Sequence, residues 1–188
     1  MFLRKSRIEP LPVTMSAVRM GERVLQIGID DPAVATALAA KVGLSGHAAI
    51  AVTDDDSAAR ARNAAAGAGV LVDVRVTPLS PLPFESGAFD LVIAHSLRGL
   101  ASSPDANARS AALREWHRVL RTGGRVVTIE AGPARGLKGW LRRPPPDQAP
   151  RASGGVTGAL EAAGFRAARV FAEREGYRFT EAIKTADR

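Results

Sequence analysis

Between Glu22 and Gly43 the chain reads ERVLQIGIDDPAVATALAAKVG. An apolar run, Val24, Leu25 and Ile27, meets one glycine, Gly28, and a helix-forming run follows. Such a junction can do chemistry. A glycine lets the backbone approach a ligand, and a helix N-terminus adds N–H donors and partial positive charge. Here the turn continues Ile29-Asp30-Asp31-Pro32, so carboxylates occupy it. Asp31 is placed as an N-cap and Pro32 suits the first helical turn, which gives the acids a plain structural task. A turn that caps itself is a poorer cradle for a ligand. Asp54-Asp55-Asp56 suits a solvated helix start, with Asp56 or Ser57 as the cap, better than a cation site. His47, His95 and His117 lie on separate segments with no ligand spacing, so no metal site is expected. His95 closes an apolar run and is the candidate general base, an imidazole expected to titrate near neutrality; its plainer role is that of a partly buried polar residue. No nucleophile–base pair stands in a diagnostic context, and there is no cysteine to act as nucleophile, metal ligand or disulfide partner.

These residues need elements to hold them, and the pattern alternates strand with helix. Strands are expected at 24–28, 47–53, 70–76, 89–95 and 125–131. Helices are expected from Asp31 to Gly43, over 57–67 with Gly67 as its close, and from Ser103-Pro104 through Leu120. The last of these carries Ala108, Ala111, Ala112, Trp116, Val119 and Leu120 at helical spacing, so the Trp116 ring should pack on the sheet. A short helix over 157–165 ends at Gly164, and two strands, 166–173 and 177–185, flank Glu175-Gly176. Alternation of this kind predicts an α/β fold with a doubly wound, mainly parallel sheet. The final pair is joined too tightly to be parallel and must be antiparallel. Ligands in such sheets bind beyond the carboxyl ends of the strands, where Gly28, Thr53, Pro78 and His95 fall.

The 188 residues are 46% hydrophobic, enough for one domain with a core. Residues 1–20 read as a short N-terminal arm and 132–155 as a Pro/Arg-rich loop. No apolar run approaches a membrane span, and the basic start lacks a signal peptide's apolar core, so a cytoplasmic protein is expected. The net charge of +7 lies entirely in residues 118–188. Only four of the 26 cations are lysine, and no basic motif interleaved with aromatics accompanies them, so a nucleic-acid partner is not expected. Trp140, among Arg135, Lys138, Arg142 and Arg143, offers a peripheral contact for an anionic membrane surface or an apolar, anionic substrate, against the plainer role of a proline-rich linker.

Four stretches carry a family resemblance: GERVLQIG (21–28), LPFESGAFDLVIA (82–94), LREWHRVLRTGGRVVTIEAGP (113–133), and LEAAGFRAARV (160–170) followed by EGYRFTEAIK (175–184). Together they resemble class I S-adenosylmethionine (SAM)-dependent methyltransferases of type 11, the group that includes the ubiquinone/menaquinone C-methyltransferases. The resemblance implies a Rossmann-like seven-stranded sheet with an antiparallel C-terminal strand, SAM as cofactor, and methyl transfer to a small or lipophilic acceptor. It places the cofactor at Gly28, Asp30, Thr53, Asp54, Pro78 and His95. Gly123 is expected to close the preceding helix after Arg121, and Gly124 to keep that turn tight. The family's first turn is acid-x-Gly-x-Gly-x-Gly; this chain has Gln26 at the acid and Asp30 and Pro32 at the later glycines. Thr53 stands where an acid holds the ribose, although a register shift of one residue puts Asp54 there and restores the acid; Pro78 stands where an acid meets the adenine. These departures predict that side chains at 30 and 32 crowd the cofactor and that SAM binds weakly or not at all. The alternative function is a catalytically inactive binding or scaffold protein on the same fold. The missing glycines and the Gly123-Gly124 segment argue against a nicotinamide enzyme.

Overall fold

The apolar runs are buried on both faces, as a parallel sheet covered by crossover helices requires. The computed structural model describes residues 9–95, 105–131 and 155–186. Its strands are β1 (Arg23–Ile27), β2 (His47–Val52), β3 (Asp73–Val76), β4 (Phe89–His95), β5 (Leu120–Ala131), β6 (Arg166–Arg174) and β7 (Tyr177–Ile183). They form one sheet in the order β3-β2-β1-β4-β5-β7-β6. The pairs from β3 through β5 are parallel, and β7 runs antiparallel to both β5 and β6. The doubly wound sheet with its antiparallel end is therefore as the sequence predicts. Order reverses between β1 and β4, which opens a crevice at their carboxyl ends.

The helices are α1 (Leu11–Met15), α2 (Pro32–Val42), α3 (Asp55–Ala68), α4 (Ala106–Val119) and α5 (Gly155–Ala162). Period-two alternation sorts the sheet's side chains. Leu25, Val92, Val126 and Ala182 share a core with Trp116 of α4 and Leu160 of α5. Val24, Leu91 and Val127 share the opposite core with Val13 of α1 and Leu38 of α2. Phe89 is buried and meets Phe84 edge to face at 5.1 Å, so both are core anchors. Among the described residues no helix is long and apolar enough to cross a membrane. The Trp140 loop lies outside the described residues, as does the Ser103-Pro104 helix start.

Local boundaries differ from expectation for physical reasons. β3 spans only Asp73–Val76, because the chain leaving α3 must first turn at Gly69, the left-handed cap. Gly67 is inside that helix. α4 ends at Val119 and Leu120 is already extended, so Gly123 does not close the helix. It has φ +77° inside β5, and its N–H donates to the Lys184 carbonyl at 2.8 Å. A Cβ on Gly124 would come within 2.9 Å of the Arg121 carbonyl and 3.1 Å of the Asp90 carbonyl, so a larger residue there would displace the strand entry.

Trp116 is 1% exposed on the apolar stripe of α4. Trp116→Ala is expected to cost about 3–5 kcal/mol. Equilibrium urea denaturation checks this, and a midpoint equal to wild type would contradict the packing.

Candidate functional site

β1 ends in the sheet and the chain leaves it at Gly28, whose φ of +72° requires glycine. The Gly28 N–H donates to the Ala51 carbonyl at 2.8 Å, which ties the turn to β2. Asp31 then caps α2, accepting from the Ala33 N–H at 2.8 Å, with Pro32 at the first helical positions and Gly43 as the C-cap. The acids of the turn thus include the helix cap that was expected.

The site's interior is held by Gln26, which is fully buried on the α2 face of β1. Its Nε2 donates to the Ala35 carbonyl of α2 at 2.9 Å. Its Oε1 lies 2.8 Å from His95 Nε2. An amide oxygen only accepts, so His95 Nε2 carries the proton and donates it to Gln26. Burial pushes the His95 pKa down to about 4, with the Asp31 charge opposing. The near-neutral titration expected of His95 is therefore corrected. Its imidazole is neutral at pH 7 and its N–H is already engaged.

A cleft of about 180 Å³ opens at the carboxyl ends of β1, β2 and β4. Gly28, Asp30, Thr53, Asp54 and His95 all line it, together with Ile27, Ala51, Ala94 and Trp116. The site residues chosen from the sequence are brought together except one. Pro78 is exposed and absent from the lining, where Leu79 stands. Pro32 is also absent from the lining, so the crowding expected from two side chains reduces to Asp30 alone. Asp54, not Asp56 or Ser57, caps α3: its Oδ1 accepts from the Ser57 N–H at 2.7 Å, which holds its carboxyl below the usual value. Trp116, which its helical spacing marks as core, also borders the cleft. Nothing in its helical spacing distinguishes the two roles. The Gln26–His95 bridge has no mark in the sequence either, because a glutamine in an apolar strand carries no signal for its partner. Among the described residues no group of three His, Cys, Asp or Glu could hold a metal ion.

A family model described as a methyltransferase domain matches residues 25–128. The ubiquinone/menaquinone biosynthesis C-methyltransferase UbiE of Azotobacter vinelandii is 32% identical over 131 residues, covering 68% of this chain and 49% of that protein. The chain spans about half the length of the curated relatives it matches. A SAM-dependent methyltransferase from Aquifex aeolicus has the same fold, with a TM-score of 0.72 at 20% identity, over 91% of this chain and 86% of that one. The [4+2]-cyclase SpnF shares it too, with a TM-score of 0.67 at 16% identity, over 94% of this chain and 79% of that one.

His95 generates a pH prediction. Its pKa in the folded chain lies below the value of about 6.5 in an unfolded one, so the unfolded state binds the extra proton. Stability is unaffected above that pH and falls as pH drops toward 4, by up to about 3 kcal/mol from this group. Thermal unfolding of wild type and His95→Gln from pH 7 to 4.5 checks it. The wild type should lose more stability than the variant, and equal pH profiles would contradict a buried neutral imidazole.

Proposed function

The chain belongs to the methyltransferase-domain family, and from that membership we propose that it is a SAM-dependent methyltransferase acting on a small or lipophilic acceptor. The observation that carries this is the cleft itself: the Gly28 turn, Asp30, Thr53 and Asp54 converge at the β1/β4 switch point, where a doubly wound sheet takes its ligand. The lipophilic acceptor is supported by the names of the ubiquinone/menaquinone relatives.

The lining fits the cofactor in charge and position. Ile27, Ala51 and Ala94 give an apolar floor, and Asp30 and Asp54 give carboxylates for a ligand that carries a sulfonium and an ammonium. Thr53 at the end of β2 offers a hydroxyl beside them. When bound, SAM supplies a methyl group already activated by its positive sulfur. The protein's task is then to hold donor and acceptor in line, so proximity and orientation supply most of the rate. His95 serves this as a positioning residue: neutral and bonded to Gln26, it fixes the end of β4 against the Gly28 turn. The fit is loose. Asp30 adds a side chain to the cleft, and the described lining encloses less than the roughly 300 Å³ of an ordinary small-molecule site.

Two observations favour a second function, a binding protein without methyl transfer. Gln26 has no free polar atom for a ligand, because both are engaged with Ala35 and His95. A cyclase also shares the fold, so the fold alone does not imply methyl transfer.

Isothermal titration with SAM and S-adenosylhomocysteine separates the two. Attraction between two charges at ~4 Å in an open, wet cleft is worth only about 1 kcal/mol, so the crowding by Asp30 should dominate. SAM is expected to saturate with a Kd on the order of 0.1–1 mM, and Asp30→Gly to tighten it about tenfold. Absence of saturation in both proteins would overturn the methyltransferase assignment and leave the binding protein.

A further inference from the structure

Single exposed apolar side chains are ordinary on a protein surface, but several gathered at one place are not. The three most exposed large apolar side chains among the described residues are Leu44 at 92%, Leu71 at 81% and Met20 at 80%. All three stand at the amino end of the sheet, opposite the cleft, each in the chain that enters a strand: Met20 before β1, Leu44 before β2 and Leu71 before β3. These strands are neighbours in the sheet. The first two loops touch. The Gly21 N–H donates to the Val42 carbonyl at 2.8 Å, the His47 N–H donates to the Glu22 carbonyl at 3.1 Å, and a Cβ on Gly43 would lie 3.4 Å from Met20 Cγ. The pairing of Ala49 with Asp73 puts Leu71 level with His47, the first residue of β2. Neighbouring strands lie ~4.8 Å apart, so the three strand entries fall within two strand spacings.

We propose that this end of the sheet docks on an anionic membrane surface, with Met20, Leu44 and Leu71 in the headgroup boundary and Arg19 and Arg23 against the phosphates. Charge sets the occupant. Arg19 and Arg23 are exposed on either side of the turn that carries Met20. The carboxylates around them are mostly taken: Glu22 is 3.4 Å from Arg125, Glu9 is 2.9 Å from Lys41, Asp73 is 2.8 Å from Arg75, and Asp90 is paired with Arg121. Glu85, in the loop before β4, is an exposed acid on that end. The Glu9–Lys41 pair holds the start of the described chain at the end of α2, where Leu44 follows. The eight residues before Glu9 read MFLRKSRI, four large apolar side chains and three cations with no acid, so the sequence that joins this end has the same mixed character. Cations beside exposed apolar groups suit an anionic lipid surface, where the charge attracts and the buried methylenes hold. Side chains this exposed on loop ends fit a fluid boundary, whereas a folded partner needs a shaped, complementary face. The cleft, at the carboxyl ends of the strands, then faces the water. The docking does not depend on what the cleft binds.

The test is co-sedimentation of the full chain with vesicles of phosphatidylcholine alone and of phosphatidylcholine with about one third phosphatidylglycerol. The chain should sediment with the anionic vesicles, and less as salt rises. Met20→Gln, Leu44→Gln and Leu71→Gln together should lower that partitioning about tenfold, and Arg19→Gln with Arg23→Gln should do the same. The unfolding midpoint of each variant should stay within about 3 °C of wild type, because the replaced side chains are exposed. Equal sedimentation of wild type and the glutamine variants, or none with anionic vesicles, would overturn the docking. Loss of binding in Trp140→Ser with the triple variant unaffected would also overturn it and move the contact to the 132–155 loop. A dimer seen by light scattering and abolished in the triple variant, without sedimentation of the wild type, would replace the membrane by a second copy of this chain.

Discussion

Gln26 lies on β1 with neither end of its amide in water, so both polar atoms must be paired inside the protein or cost stability. One end holds the Ala35 carbonyl in the first turns of α2, and the other holds His95 at the end of β4. Three elements that meet at the switch point are thereby fixed by one side chain. The Gly28 turn has no freedom to move apart from α2 or β4 without breaking one of these bonds. His95 is kept neutral by the same burial that makes the bridge strong.

That constraint explains how a turn lacking two expected glycines still forms a cleft. Asp31 closes α2 with its own carboxylate, Pro32 sits in the helix away from the lining, and only Asp30 extends beside the ligand space. At the far end of β1 a second carboxylate plays a comparable part. Asp90 accepts from the Arg23 N–H at 2.7 Å and pairs with Arg121, tying the start of β1 to β4 and to the β5 entry. The sheet's centre is thus held at both ends by single polar side chains, and the apolar core between them holds it together along its length.

The strand–helix alternation, the antiparallel hairpin and the Asp31 cap were all legible, because periodicity and capping are local and each leaves a mark within a few residues. The end of α4 was not. Residues 120–124 look like a helix close with a double glycine, but the sheet recruits Leu120 opposite Phe89, so tertiary pairing decides it. The cleft's membership was legible for Gly28, Asp30, Thr53, Asp54 and His95, since all follow strand ends. It was not legible for Trp116, whose position on an apolar stripe is identical for core and for cleft. Nor was it legible that Pro32 and Pro78 stand outside the lining, since distance in space is not contained in the family spacing.

The crevice at the ends of β1, β2 and β4 is the proposed seat of the methyl donor. Backbone amide chemical shifts followed through a SAM titration locate the bound ligand. Shifts are expected to concentrate at Gly28, Asp30 and Thr53, with Tyr177 in the β6–β7 hairpin unmoved. Shifts centred on that hairpin, or none in the crevice at saturating ligand, would contradict it.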